Sequence, residues 1–416
     1  MGSEMCIRDS IGHLLSNDEL QYGFQKNCST LQCTWAVQET ISHYLRNGSE
    51  VYVCLLDFSK AFDKVNFKML FSKLIERRIP FIVLRLLLFI YMKQTCYVKW
   101  NTKRSNSFEV KNGVRQGAIL SPTLFCTYLD VLLKRLRNSG LGCHIGGEFL
   151  GALGYADDVI LLSPSRESLQ HMLQICQDFS NEHSMQFSTD PVPSKSKTKC
   201  LHFTTKERIA KPLILNGDDL PWVAKASHLG NNLTTKLTIK PLGMDSSSDL
   251  LQKRAIFFQK VHELKQAYGF YNPRLVCEVI RIFACSFYGS PLWTLNSEEH
   301  MKLNRSWNTV IKMIWDLPFA THKRFLESLN DIPHLQSMLN GRYIGFIENL
   351  SATKKPHLQT LFNMCISNQA CNTGQNVSHL LKMYELNDLK ALIMEKQVIK
   401  NKRIHPLQED ESWKFE

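Results

Sequence analysis

The stretch Gly154-Tyr-Ala-Asp-Asp-Val-Ile-Leu-Leu162 sets two adjacent carboxylates, Asp157 and Asp158, between apolar flanks. Phe149, Leu150 and Leu153 precede the pair and Val159 to Leu162 follow it. The segment therefore reads as the tip of a β-hairpin rising from a packed sheet. Half-burying two like charges is costly unless something positive compensates them. A divalent cation is the cheapest compensation, since hard carboxylate oxygens suit Mg²⁺. A solvated Ala-Asp-Asp turn is the plain alternative, and the neighbouring segments have to decide.

The nearest such segment is Val51-Tyr-Val-Cys-Leu-Leu56, β-branched and apolar on both faces, which predicts a buried strand ending at Asp57. If that strand lies beside the hairpin, Asp57, Asp157 and Asp158 converge. Three such carboxylates can hold two Mg²⁺ ions roughly 3.5–4 Å apart, the arrangement used for in-line phosphoryl transfer. Asp57 could instead simply cap the helix after it. Its apolar approach strand favours the metal role.

Around these two strands the pattern alternates between helix and strand. Helices are expected over 31–45, 67–78, 81–93, 121–138, 166–183, 249–268 and 273–288, and strands near 199–204 and 227–233. Residues 95–110 alternate and carry the turn-like pair Asn106-Ser107, which predicts a hairpin or extended pair. Ser121 is expected as a helix cap with Pro122 at the first helical position. The stretch 190–199 is rich in Pro, Ser and Lys and reads as a loop. Strands first and helices last argue an α+β fold with an all-helical lobe at its C-terminal end.

Charge adds a partner class. The formal net charge is +12, which favours a polyanion, nucleic acid being the commonest. The thirteen cysteines contain no Cys-x-x-Cys pair, so neither a zinc site nor a disulfide framework is indicated, and free thiols in a reducing compartment are the simplest reading. The longest apolar run, 81–92, is interrupted by Arg85 and too short to span a bilayer, so no membrane partner is expected. Residues 1–10 are unlike the rest of the chain and read as a non-native leader.

Four segments together resemble a known family. Val53-Cys-Leu-Leu-Asp-Phe-Ser-Lys-Ala-Phe-Asp63, Gly113-Val-Arg-Gln-Gly-Ala-Ile-Leu-Ser-Pro122 and Gly154-Tyr-Ala-Asp-Asp158 are similar to palm motifs A, B and C of reverse transcriptases, in the wording of non-LTR (LINE-type) retrotransposons. Gln21-Tyr-Gly-Phe-Gln-Lys-Asn-Cys-Ser-Thr30 resembles the fingers motif that precedes motif A. The resemblance covers about residues 20–320. It implies a right-hand polymerase: partial fingers over 11–50, a palm over 51–240 built on an antiparallel sheet, with a fingers insertion at about 64–112, a helical thumb over 241–320, and a helical extension over 321–416.

The resemblance also implies roles. Asp57, Asp157 and Asp158 would bind two Mg²⁺ ions (Mn²⁺ being an alternative), with the Phe58 carbonyl completing one shell. Backbone around Lys60 and Ala61, together with Phe62, Gln116 and Tyr155, would meet the incoming deoxynucleoside triphosphate. Gly113, Gln116, Gly117 and Gly230 would support template and primer; Gly230 follows His228-Leu229, similar to the approach to a primer grip. Phe62 would exclude a ribose 2′-OH where RNA-dependent RNA polymerases tend to place an acid, so the product would be DNA. Lys195, Lys197 and Lys199 lie where the family carries a lysine acting as general acid to pyrophosphate, and the residue pattern does not choose among them. The implied partners are an RNA template and a DNA primer or target, in the cytoplasm and nucleus, with an endonuclease on a part of the polyprotein not included in this fragment. Gln25 departs from the family's usual arginine, losing a charged fork for phosphate. A catalytically inactive relic and an RNA-binding fragment are the competing readings.

Overall fold

The computed structural model describes residues 2–401 apart from 191, 193–194, 207–209, 240–241, 270, 323–324, 327–328 and 330–333. The chain forms two compact units, Met1–Cys33 with Gly48–Ala224, and Thr34–Asn47 with Lys225–Glu416. Residues 402–416 of the expected C-terminal extension lie outside the described residues.

The first unit is built on a four-stranded antiparallel sheet. Its strands are β1 (Val51–Leu56), β2 (Ala152–Tyr155), β3 (Asp158–Ser163) and β4 (Lys199–Phe203), in the order β4-β1-β3-β2. Strand β1 is central, and Val51, Val53, Cys54 and Leu56 are buried, as its two-sided apolar sequence requires. Helices α1 (Gly2–Ile11), α2 (Thr30–Arg46), α3 (Phe67–Glu76), α4 (Phe81–Met92), α5 (Ser121–Asn138) and α6 (Arg166–Glu182) precede β4 in the chain, and α5 and α6 pack on each other and against the sheet. Leu169, Met172, Leu173 and Cys176 form the buried stripe of α6 at helical spacing. Each such side chain contributes about 1.5–3 kcal/mol when fully buried. The expected α+β class and antiparallel sheet are both present.

Several local expectations are corrected. The hairpin in 95–110 turns at Asn101-Thr102, where Trp100 pairs with Lys103 and Asn101 has φ +50°, rather than at Asn106-Ser107. Asparagine tolerates the left-handed region that a two-residue turn demands. Ser121 is the buried first residue of α5, not its cap, a place taken by Leu120 without a side-chain cap bond. The helix expected over 273–288 ends at Phe283, before a segment with positive φ at Phe287 and Gly289. Gly2–Ile11 forms a helix that buries Ile7 and Ile11, and Glu4 Oε2 accepts the Ile119 N–H at 3.2 Å.

The second unit is mainly helical. Phe257, Ile280, Trp293, Leu303 and Trp307 share one core between the helices Ser247–Tyr268, Pro273–Phe283 and Glu298–Ile314. The helix Thr30–Arg46 contributes Trp35, whose Nε1 donates to Thr373, and buried Glu39, which accepts both N–H and Oγ1–H of Thr373. Glu39, Cys365 and Cys371 bring their ligand atoms within 4.8 Å. Arg46 stands 3.9 Å from Glu39 and donates to Cys371 Sγ, so a side-chain cation already compensates this buried carboxylate. Among the described residues no helix is long and apolar enough to cross a membrane.

His228 and His300 are buried in this unit, and loss of hydration lowers both imidazoles to about 4. In the unfolded chain each takes up a proton near 6.5. Between those values the unfolded state binds more protons, so stability is lost as pH falls from about 6.5 to about 4, by on the order of 3 kcal/mol per histidine. Thermal melts followed by tryptophan fluorescence should show a midpoint several degrees lower at pH 5 than at pH 7.5. Replacing His300→Leu should flatten that dependence.

Candidate active site

The register of the sheet carries Asp57 to the acidic hairpin. Leu56 pairs with Val159, so the next step of the same antiparallel register sets Asp57 beside Asp158. On the other side of β3, Tyr155 pairs with Asp158 across the two-residue turn Ala156-Asp157. Val159 to Leu162 are all buried, so a slip of the register would break the side-chain packing on both faces of β3, and that packing holds Asp57 beside the acidic hairpin.

The backbone around Asp57 is tied from a second direction. Ser188 N–H donates to Asp57 O at 2.7 Å and Ser59 N–H donates to Gln186 O at 2.8 Å. Phe58 between them is buried with its ring 4.4 Å from that of Phe187. Lys60 then takes φ +52° and Ala61 starts the short 3-10 turn Phe62–Lys64. The strand is thus stopped sharply at Asp57, and the next residues turn away around it.

Electrostatics marks the cluster as undercompensated. Burial raises the Asp57 carboxyl; Lys197 opposes that shift and Asp157 adds to it. Among the described residues Asp57 Oδ2 is buried without a hydrogen-bond partner, Lys197 Nζ standing 3.8 Å away. Asp158 is pushed up to about 6, first by loss of hydration and then by the charges of Asp157 and Asp57. Although Asp158 is exposed as a residue, the protein around its carboxylate withdraws part of its solvent. Hard, mutually repelling carboxylate oxygens are the donor type a divalent cation takes, although those of Asp57, Asp157 and Asp158 do not all lie within 4.8 Å of one another.

The other residues singled out in the sequence divide into two groups. Phe62 is half-buried and stacked on Phe125 of α5, centroids 4.7 Å apart and planes 16° from parallel. Val114 N–H donates to Phe62 O at 2.8 Å, Gly113 N–H to Val65 O at 2.9 Å, and Gln116 Nε2 approaches Asp63 Oδ1 at 3.5 Å. The motif B loop is thereby stitched to the turn that follows Asp57. Gly113 has φ +90°, and a Cβ there would come within 2.8 Å of Asp63 O, so this glycine serves contact with the protein's own backbone. Gly117, at φ +80°, faces open space. Of the three lysines, Lys197 approaches Asp57; Lys195 is exposed and Lys199 is half-buried in β4. Gly230 lies in the second unit, in a hairpin between Lys225–His228 and Asn231–Thr234 whose turn residues Leu229 and Gly230 both have positive φ.

The match to known sequences rests on the same region. Residues 7–244 fit the family described as "Reverse transcriptase (RNA-dependent DNA polymerase)". The chain belongs to that family. The sheet is accordingly the palm of a right-hand polymerase. The chain is 30% identical over 161 residues, 39% of its length and 15% of the relative's, to the "Retrovirus-related Pol polyprotein from type-1 retrotransposable element R2" of Nasonia vitripennis. It is 21% identical over 390 residues, 90% of its length and 40% of the relative's, to the "RNA-directed DNA polymerase from mobile element jockey" of Drosophila melanogaster. It thus spans well under half the length of these relatives. Among solved structures, the apo telomerase of Candida tropicalis covers 96% of this chain, with 61% of that chain matched, at 11% identity and a TM-score of 0.45.

A cluster of repelling carboxylates predicts a trade of stability against function. In the presence of EDTA, Asp158→Asn should raise the thermal midpoint of the first unit by a few degrees. Added Mg²⁺ should raise the midpoint of the unmodified chain more than that of the variant. Differential scanning calorimetry reads both effects.

Proposed function

We infer that this chain is the RNA-directed DNA polymerase portion of a non-LTR retrotransposon protein, extending a primer 3′-OH on an RNA template with deoxynucleoside triphosphates. The observation that carries the reading is the convergence of Asp57, Asp157 and Asp158 at one end of the palm, with Phe62 on the turn directly after Asp57. Asp57, Asp157, Asp158 and the Phe58 carbonyl would hold two Mg²⁺ ions. When bound, such ions lower the pKa of an attacking hydroxyl and neutralise charge on a leaving pyrophosphate.

The chain's own groups supply the remainder. Lys197, beside Asp57 yet with a side chain 70% exposed, is free enough to reach a departing pyrophosphate and donate a proton to it. Such general-acid help is worth roughly 10²–10⁴-fold. The Phe62 ring, braced by Phe125, would exclude a ribose 2′-OH and so select deoxynucleotides. The exposed amide of Gln116 offers both a donor and an acceptor to the nucleotide or template edge. Basic residues on the helix Ser247–Tyr268, among them Lys253, Lys260 and Lys265, suit phosphates of a template–primer duplex without reading its sequence. Gln25 in place of an arginine favours a weaker nucleotide grip, and an inactive nucleic-acid-binding relic is the reading that a negative assay would leave standing.

Mg²⁺-dependent extension of oligo(dT) on poly(rA) tests the reading. The unmodified chain should extend the primer and Asp157→Asn should lose extension. An unmodified chain that fails to extend rejects the polymerase assignment. In the same assay Phe62→Val should increase ribonucleotide incorporation, whereas Lys197→Ala should slow single-nucleotide addition by about 10²-fold or more with the primer still bound.

A further inference from the structure

The motif Gln21-Tyr-Gly-Phe resembles part of the fingers, yet its first residues belong to the palm sheet. Gly154 N–H donates to Leu20 O at 2.9 Å and Tyr22 N–H donates to Gly154 O at 2.7 Å, a parallel bridge onto β2. Gln21 sits at the middle of that bridge and is fully buried. Its Oε1 accepts the N–H of Ala156 at 2.8 Å and the N–H of Gly23 at 2.8 Å, while its Nε2 approaches Ala156 O at 3.4 Å. One side-chain amide thus engages both polar backbone groups of Ala156.

Ala156 is the residue that needs holding. It has φ +56°, a left-handed conformation that costs a residue with a Cβ roughly 1–2 kcal/mol and persists only when surroundings over-determine it. It is also the first of the two turn residues, directly before Asp157 and Asp158. Two glycines make room for the arrangement. A Cβ on Gly23 would lie 2.3 Å from Ala156 N, and one on Gly154 would press on Gln21 Nε2 at 3.2 Å and a Leu133 methyl at 3.2 Å.

We propose that Gln21 is a positioning residue for the catalytic carboxylates: its buried amide clamps the left-handed Ala156 and thereby fixes where Asp157 and Asp158 stand relative to Asp57. The assignment rests on the polymerase reading for its catalytic consequence, though not for the clamp itself. Only a neutral amide of this length meets the demand. Glutamate would lose the donor and add a negative charge beside three others, and asparagine is a methylene too short. Methionine preserves length and burial while removing both polar functions.

The test compares the full chain with Gln21→Met and Gln21→Glu, using oligo(dT) on poly(rA) and amide hydrogen exchange. The clamp predicts that Gln21→Met, with a far-ultraviolet spectrum like that of the unmodified chain, lowers kcat on the order of tenfold to a hundredfold, as small misplacements of reacting groups do. The KM for dTTP should change little, and the Mg²⁺ concentration for half-maximal extension should rise several-fold. Loss of folded protein alone would lower the active fraction without moving that Mg²⁺ requirement. A folded Gln21→Met with unaltered kcat and Mg²⁺ requirement overturns the proposal. If the unmodified chain does not extend the primer, the polymerase reading fails separately, and exchange over 150–160 decides: faster exchange at Ala156 in Gln21→Met supports the clamp, unchanged protection overturns it.

Discussion

Three carboxylates of one sign are held together by a hydrophobic register, and most of the first unit can be understood as what it takes to hold them there. Apolar burial along β1 and β3 sets which residues face each other, and Asp57 and Asp158 meet because they follow and precede those buried runs. The core supplies the force, since repulsion and lost hydration oppose the arrangement and raise both carboxyls. The gathered charge therefore costs stability at this spot.

Around that cluster, the main connections are made by backbone rather than by exposed side-chain pairs. Ser188 and Ser59 secure the residues flanking Phe58, the Gly113 loop is bonded to the turn after Asp57, and the segment Leu20–Tyr22 pairs with β2. Backbone bonds of this kind leave little slack, which suits chemistry sensitive to displacements of an ångström or less. Phe62 gains its rigidity differently, from a ring stacked against it by α5.

The acidic strand end, the acidic hairpin and the order of the motifs are all readable from residue types, because burial on a sheet leaves a short-range pattern. What escapes such reading is decided by distant or single-residue geometry. In the sequence Gln21 is one polar residue among several, since its partner Ala156 lies far along the chain. Gly113 suggests room for nucleic acid, yet the atom it makes room for is Asp63 O. The Asn101 turn and the Leu120 cap differ from expectation by local choices between neighbouring turn-formers, which pattern alone does not rank. Lys197 is distinguished from Lys195 and Lys199 by the approach of its Nζ to Asp57, a contact between residues far apart in the chain.

The proposed divalent-cation site at this sheet end is made by Asp57 together with the hairpin acids. A Mn²⁺ titration of the full chain followed by electron paramagnetic resonance tests it without relying on nucleic acid or turnover. Bound Mn²⁺ that is displaced by Mg²⁺ and is lost in both Asp57→Asn and Asp157→Asn is the predicted result. Equal Mn²⁺ binding by the unmodified chain and both variants would show that these aspartates do not hold the ion.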